Sequence, residues 1–228
     1  MKHSSGYGDS LSAELGDVSS IVATSRRKSP RQERAKATVE AILEASSQVL
    51  VGLGYTKMTT TRVAKRAGVS VGTLYQYFAD KEELVRAVWA RHEQTVFDAI
   101  GHAMQQSEGA ALAERVETVL GAVLQAKASR AKLTTALSTT MTQLDGPAHL
   151  ARIQANNEAT VRAVLEVHAD ELIVEPSDQT VFLVVNAIEG VISAAITTRP
   201  EELADPALLA GLTRMILRFV TRQNDAGS

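Results

Sequence analysis

Residues 59–81 read TTTRVAKRAGVSVGTLYQYFADK, and the reading of this stretch decides the fold. Gly68-Val69-Ser70-Val71-Gly72 matches G-x-S-x-G, the strand-to-helix elbow that presents a nucleophilic serine in α/β-hydrolases. The same letters fit the tight turn between two helices of a DNA-binding unit. The preceding residues separate the two readings. A hydrolase serine follows a buried apolar strand, whereas TTTRVAKRA (59–67) is polar and helical in pattern. None of the five histidines (3, 92, 102, 149, 168) stands in a recognisable triad context. Ser70 is therefore expected to cap a helix, its oxygen accepting the amide of residue 72 or 73. A serine hydrolase using Ser70 is the alternative, and the expectation is no enzyme.

Two short helices joined by Gly68-Val69-Ser70 have the spacing of a helix-turn-helix. Gly68 supplies a positive-φ turn, Val69 tucks between the helices, and the small Ala64 and Ala67 let them cross closely. Leu74 and Phe78, four apart, form the inward face of the second helix. The opposite face is centred on Gln76 and Gly72, flanked by Thr73, Tyr75 and Tyr77. Gly72 admits close backbone approach, Gln76 can pair bidentately with an adenine edge, and the hydroxyls can reach phosphates or bases. Asp80-Lys81-Glu82-Glu83 opens the next helix, with Asp80 as cap and Glu83 completing a capping box. Lys81 opposes the helix dipole there unless an anion joins it, which marks it as a phosphate ligand.

The charge distribution agrees. The chain carries a net charge of −2, yet residues 26–81 hold 11 Lys/Arg against four Asp/Glu, so this part is +7 and the remainder −9. A basic block beside an acidic remainder points to a polyanionic partner for the first part alone. SRRKSPRQERAK (25–36) brings Arg26, Arg27, Lys28 and Arg31 to the start of the first helix, as an arm able to follow a DNA backbone or enter its minor groove. There are no cysteines, so disulfides and thiolate metal sites are excluded, and a cytoplasmic location is compatible. The opening residues lack the apolar core of a signal peptide. The most apolar stretch, 181–196, carries Asn186 and Glu189 and is read as too short to span a bilayer. No Walker loop or G-x-G-x-x-G is found, and no cofactor or metal is expected.

Beyond this unit the chain reads as all-α. Helix one is expected over 31–51, ended by Gly52 and Gly54. Later helices are expected over 110–128, 130–144, 147–171, 178–198 and 206–223, with breaks at Gly/Pro positions.

The stretch ILEASSQVLVGLGYTKMTTTRVAKRAGVSVGTLYQYFADKEEL (42–84), and within it AGVSVGTLYQYFADKEEL, resembles the DNA-binding domain of the TetR family of transcriptional regulators. The resemblance implies a homodimer whose recognition helices enter successive major grooves of operator DNA. It implies Thr73, Tyr75, Gln76, Tyr77 and Lys81 as main contacts beside Gly72, with Thr60, Thr61 and Arg62 on the backbone or flanking bases. It also implies a helix-turn-helix domain over 29–80 and a helical effector-binding and dimerisation domain over 81–228; the flexible basic arm expected over 1–28 is where the chain departs from the family. A repressor released by a small-molecule effector is expected, with an activator as the alternative and no membrane partner. Effector-pocket candidates are Trp89, Phe97, Met104, Thr135, Ser138, Met141 and Asn157. The dimer interface is expected from two apolar stripes: Val181, Val184, Val185, Ile188, Val191 and Ile192 on one helix, Leu212, Met215, Ile216 and Phe219 on the other.

Overall fold

The computed structural model describes residues 30–144 and 146–222. The stretch 1–28, with Arg26, Arg27 and Lys28, lies outside the described residues. By its contacts the chain forms two compact units, one ending at Thr38 and one beginning at Val39. Among the described residues every regular element is helical: α1 (Pro30–Lys57), α2 (Thr60–Ala67), α3 (Val71–Tyr75), α4 (Lys81–Gln106), α5 (Leu112–Ser129), α6 (Ala131–Leu144), α7 (Gly146–Val167), α8 (Asp178–Thr198) and α9 (Pro206–Val220). Single turns of 3₁₀ helix, Ala169–Glu171 and Pro200–Ala204, follow α7 and α8.

The first helix is longer than expected. Gly52 lies inside it, and the break comes at Gly54, which adopts φ 75°, ψ 164°. Only glycine enters that region cheaply, so the chain turns there and Tyr55–Lys57 form a separate short coil of helix. α8 covers the expected residues, 178–198, but the reading of its apolar stretch as too short to span a bilayer needs correction. At 21 residues, with a most apolar window of mean hydropathy 1.8, it is long and apolar enough to cross a membrane by length and composition. Asp178–Thr180 and Thr197–Thr198 extend the apolar stretch at its two ends, and Val181, Val184, Val185 and Ile192 pack into the protein's own core.

Two apolar cores organise the helices. The first gathers Ile42, Leu50, Met58, Val63, Leu74, Phe78, Leu84 and Val88 from α1–α4 and their connections, and also Leu133, Leu137 and Met141 of α6. The second joins α5, α7, α8 and α9 through Leu112, Leu124, Leu165, Val181, Ile192, Leu212 and Ile216. Ion pairs tie α1 to the helices above it. Arg91 on α4 reaches Glu40 at 3.0 Å and Glu44 at 3.1 Å, and Arg130, at the α5–α6 junction, reaches the same Glu44 oxygen at 3.4 Å. Burial works against the Glu44 charge, but the Gln48 amide and the Arg130 and Arg91 guanidiniums outweigh it and hold its carboxyl below the usual range.

The residues of the expected dimer stripes divide between core and surface. Val181, Val184, Val185 and Ile192 on α8, and Leu212 and Ile216 on α9, are buried within the protomer. They close the second core against α5 and α7, and Ile188 and Val191 pack at its edge. The large apolar side chains exposed on these helices are Phe182, Leu183, Met215 and Phe219. The effector candidates are not gathered into one chamber. Trp89 and Met141 belong to the first core, and Met104 packs on the second. Phe97 and Ser138 are half-buried elsewhere on α4 and α6. The Thr135 hydroxyl is 2.9 Å from the Ala131 carbonyl and 3.2 Å from that of Ile196, and Asn157 donates to Glu189 at 3.0 Å.

A buried polar chain links α4 to α6. The Thr134 hydroxyl gives its one proton to the Lys127 carbonyl at 3.1 Å, so the His92 Nε2, 3.1 Å from the Thr134 Oγ1, is the protonated nitrogen and donates to it. Burial, with Lys127 and Arg130 adding positive charge, pulls the His92 imidazole down to about 4 from its ordinary 6.5. The unfolded chain takes up this proton near pH 6.5 and the folded chain refuses it until about pH 4, so stability falls as pH drops through that window. His92→Gln keeps a donor and removes the titration. The wild-type urea midpoint should fall relative to the variant between those two pH values, and parallel profiles would remove His92 from the acid sensitivity.

Candidate nucleic-acid interface

The turn chemistry of 59–81 sets the geometry. Thr59 caps α2, its hydroxyl accepting the Arg62 amide at 3.2 Å. Gly68, at φ 71°, ψ 26°, ends α2 in the left-handed conformation and returns its amide to Ala64 and Lys65. Ser70 then caps α3. Its Oγ accepts the Thr73 amide at 2.9 Å and lies 2.8 Å from the Thr73 hydroxyl, so both of its short contacts are local. This is a helix start reached from a helix, with none of the strand that a nucleophile elbow requires. Asp80 accepts the Glu83 amide at 2.7 Å; the Glu83 carboxylate bonds the Ala79 amide rather than that of Asp80, closing the box one residue early.

α3 is shorter than expected, ending at Tyr75, with Gln76 as its C-cap. The chain tightens into a turn in which the Tyr77 and Phe78 amides both bond the Leu74 carbonyl at 3.0 Å. Leu74 and Phe78 still reach the core, and Val63 and Ala64 of α2 meet them there. The outward side carries Gly72, Tyr75 and Gln76, all exposed. Tyr77 is drawn inward by the same turn and packs on the core, so it does not share that free face. Thr73 is half-buried beside Ser70. The Tyr75 hydroxyl stands 3.1 Å from the Thr60 hydroxyl and bridges α2 to α3. Thr61 is exposed. Arg62 donates to the Lys57 carbonyl, and Arg66 to the Gln48 side chain, so both guanidiniums are steadied against α1.

Lys81 is held by an unforeseen partner. Its ammonium sits 4.0 Å from the centre of the Tyr55 ring and 3.4 Å from the Tyr55 carbonyl. The Gly54 break makes this possible by aiming Tyr55 at the start of α4. Sequence reasoning also passed over Lys65, exposed on α2; its place one turn from Arg62 was the available signal. Arg31 is exposed in the first turn of α1.

The geometry can be set beside known proteins. Residues 42–88 match the family model described as bacterial regulatory proteins, tetR family, and residues 111–219 match the tetracyclin repressor-like C-terminal domain. Over 83 residues the chain is 37% identical to nucleoid occlusion factor SlmA of Haemophilus ducreyi, covering 34% of this chain and 40% of that protein. Over 76 residues it is 38% identical to the HTH-type transcriptional activator FasR of Mycolicibacterium smegmatis, covering 33% of each. These matches thus span less than half the length of the relatives. A TetR family transcription regulator from Marinobacter aquaeolei shares the fold at a TM-score of 0.61 and 21% identity, over 84% of this chain and all of that one.

The cap at Ser70 gives a direct check. Ser70→Ala should lower unfolding stability by about 1 kcal/mol in a urea titration. A change below a few tenths would mean that the Thr73 amide finds an equal partner in water.

Proposed function

Because the chain belongs to the TetR family of bacterial transcriptional regulators, which bind DNA and are not enzymes, we propose that it is a homodimeric, cytoplasmic repressor released from its operator by a small-molecule effector. The observation that carries the reading surface is the division of residues 71–78: Leu74 and Phe78 are spent on the core, while Gly72, Tyr75 and Gln76 face out. In this proposal Gln76 reads a base edge in the major groove and Gly72 lets the backbone come close. Tyr75, Thr73 and the α2 residues Thr60, Thr61 and Arg62 hold the phosphates, and Tyr77 acts from the edge. Lys81, steadied on Tyr55, offers its charge to the DNA backbone beside the start of α4. The arm with Arg26, Arg27, Lys28 and Arg31 adds phosphate contacts.

The exposed apolar residues on α8 and α9 support pairing with a second copy. Met215 and Phe219 are four apart on one face of α9 and more than 40% exposed, and Phe182 and Leu183 are exposed on α8. Two protomers joined through these helices would hold their recognition helices about 34–36 Å apart, one turn of DNA. A ligand favouring a conformer with other spacing would release the operator, and only by its differential affinity for the two states. Activation is the second reading, favoured by the similarity to an activator over one third of the chain; transcription from a promoter bearing the selected site separates the two by sign.

Three outcomes test the proposal. Gln76→Ala should cost about 1–3 kcal/mol on the preferred duplex and relax preference at one base, while Lys81→Ala should weaken all duplexes and reduce the salt slope by about one. Equal losses on every sequence for Gln76→Ala would remove it from base reading. Met215→Glu with Phe219→Glu should shift sedimentation from dimer to monomer with the helical circular dichroism retained; a persisting dimer would move the interface elsewhere.

A further inference from the structure

Arg115 is the exceptional side chain of the second half of the molecule. It lies at the start of α5, in a stripe that otherwise reads Leu112, Val116, Val119 and Leu120, and it is only 8% exposed. Its Nε is buried without a hydrogen-bond partner. Among the described residues its one polar contact is from Nη2 to the Met104 sulfur on α4, at 3.7 Å, a weak acceptor. No carboxylate among the described residues pairs with it. Glu171, the carboxylate brought to this end of α5, is occupied: both of its oxygens stand 3.3 Å from the Leu112 amide, at a helix start that lacks a side-chain cap of its own. A guanidinium stays protonated at any working pH, and burying one unpaired is costly. A carboxylate or phosphate that pairs with the guanidinium in the bidentate geometry offsets that cost.

We infer that Arg115 anchors an anion site at the α4–α5 interface, and that the effector of the proposed regulator is an amphiphile with a single anionic head, carboxylate or phosphate. This rests on the effector reading above. The head takes the planar donor fork of Arg115, displacing the Met104 thioether from it. The body is apolar, because the positions one turn to either side, Leu112 and Val119, are buried and apolar, and Met104 yields readily as an unbranched side chain. The ligand thereby converts an uncompensated charge into a paired one, and this gain is available only in the conformer that admits it.

The test uses the full chain, with butyrate, hexanoate and octanoate as probes, the matching alcohols as neutral controls, and octyl phosphate to separate the two head groups. Melting temperature and dissociation constant are measured for wild type, Arg115→Met and Arg115→Gln, beside binding to a duplex selected from random DNA. One of the anionic amphiphiles should raise the wild-type melting temperature where its alcohol does not. Arg115→Met should weaken its binding on the order of a hundredfold and, without ligand, melt no lower than wild type. No shift with any anion, equal shifts with acid and alcohol, or unchanged binding to both variants overturns the site. Binding through Arg115 that leaves DNA affinity unaltered keeps the anion site and removes the effector reading. Release of DNA by a compound that binds wild type and both variants alike keeps the effector reading and removes Arg115.

Discussion

The burial of α6 in the same core as α3 is the constraint on which the rest depends. Leu137 is fully buried, as is Leu74, and the cluster that holds both also takes in Leu133 and Met141. α3 therefore has no core of its own. It rests on α1, α2 and α4, and those rest partly on a helix that lies far along the chain. Close-packed interiors transmit displacements rather than absorb them, so any shift of α6 is felt beneath the reading surface. The Glu44 carboxylate, shared between Arg91 and Arg130, adds a polar tie across the same junction.

Much of the turn chemistry was legible because it is local. Gly68, Ser70 and Asp80 act within four residues of themselves, and their caps fall where side-chain reach requires. The inward pair Leu74 and Phe78 was legible from its spacing, even though the helix ends before Phe78 and a turn completes the approach. The half-burial of Tyr77 was not legible for that reason: helical geometry extended past Tyr75 places it on the open face, and the turn packs part of it on the core. The faces of α8 and α9 were not legible. Both helices are apolar over most of their circumference, and which stripe turns inward depends on α5 and α7, which periodicity in one segment cannot see. The same limit hid the membership of α6 in the first core.

Arg115 marks a different kind of omission. Its position among Leu112, Val116 and Val119 breaks the apolar pattern of α5, and that break was readable. What could not be read was whether the side chain escapes to solvent, as a long flexible cation usually does. Only the packing of α4 against α5 shows that it does not. Its burial with only the Met104 thioether to meet it places an electrostatic demand in a domain where two other polar pairs, His92 with Thr134 and Asn157 with Glu189, satisfy one another.

The brevity of α3 has a thermodynamic consequence. Five residues are far fewer than a peptide needs to hold a helix in water, where nucleation alone is unfavourable by orders of magnitude. The reading surface therefore has almost no intrinsic helicity and exists only while Leu74 is docked. Its amides should exchange with solvent as part of the larger unit rather than by local fraying, and its opening energy should follow the cohesion of the surrounding helices. Warming, or a core substitution remote from DNA, would then erode recognition in proportion to lost cooperativity, so that affinity for DNA becomes a gauge of the integrity of the whole first core.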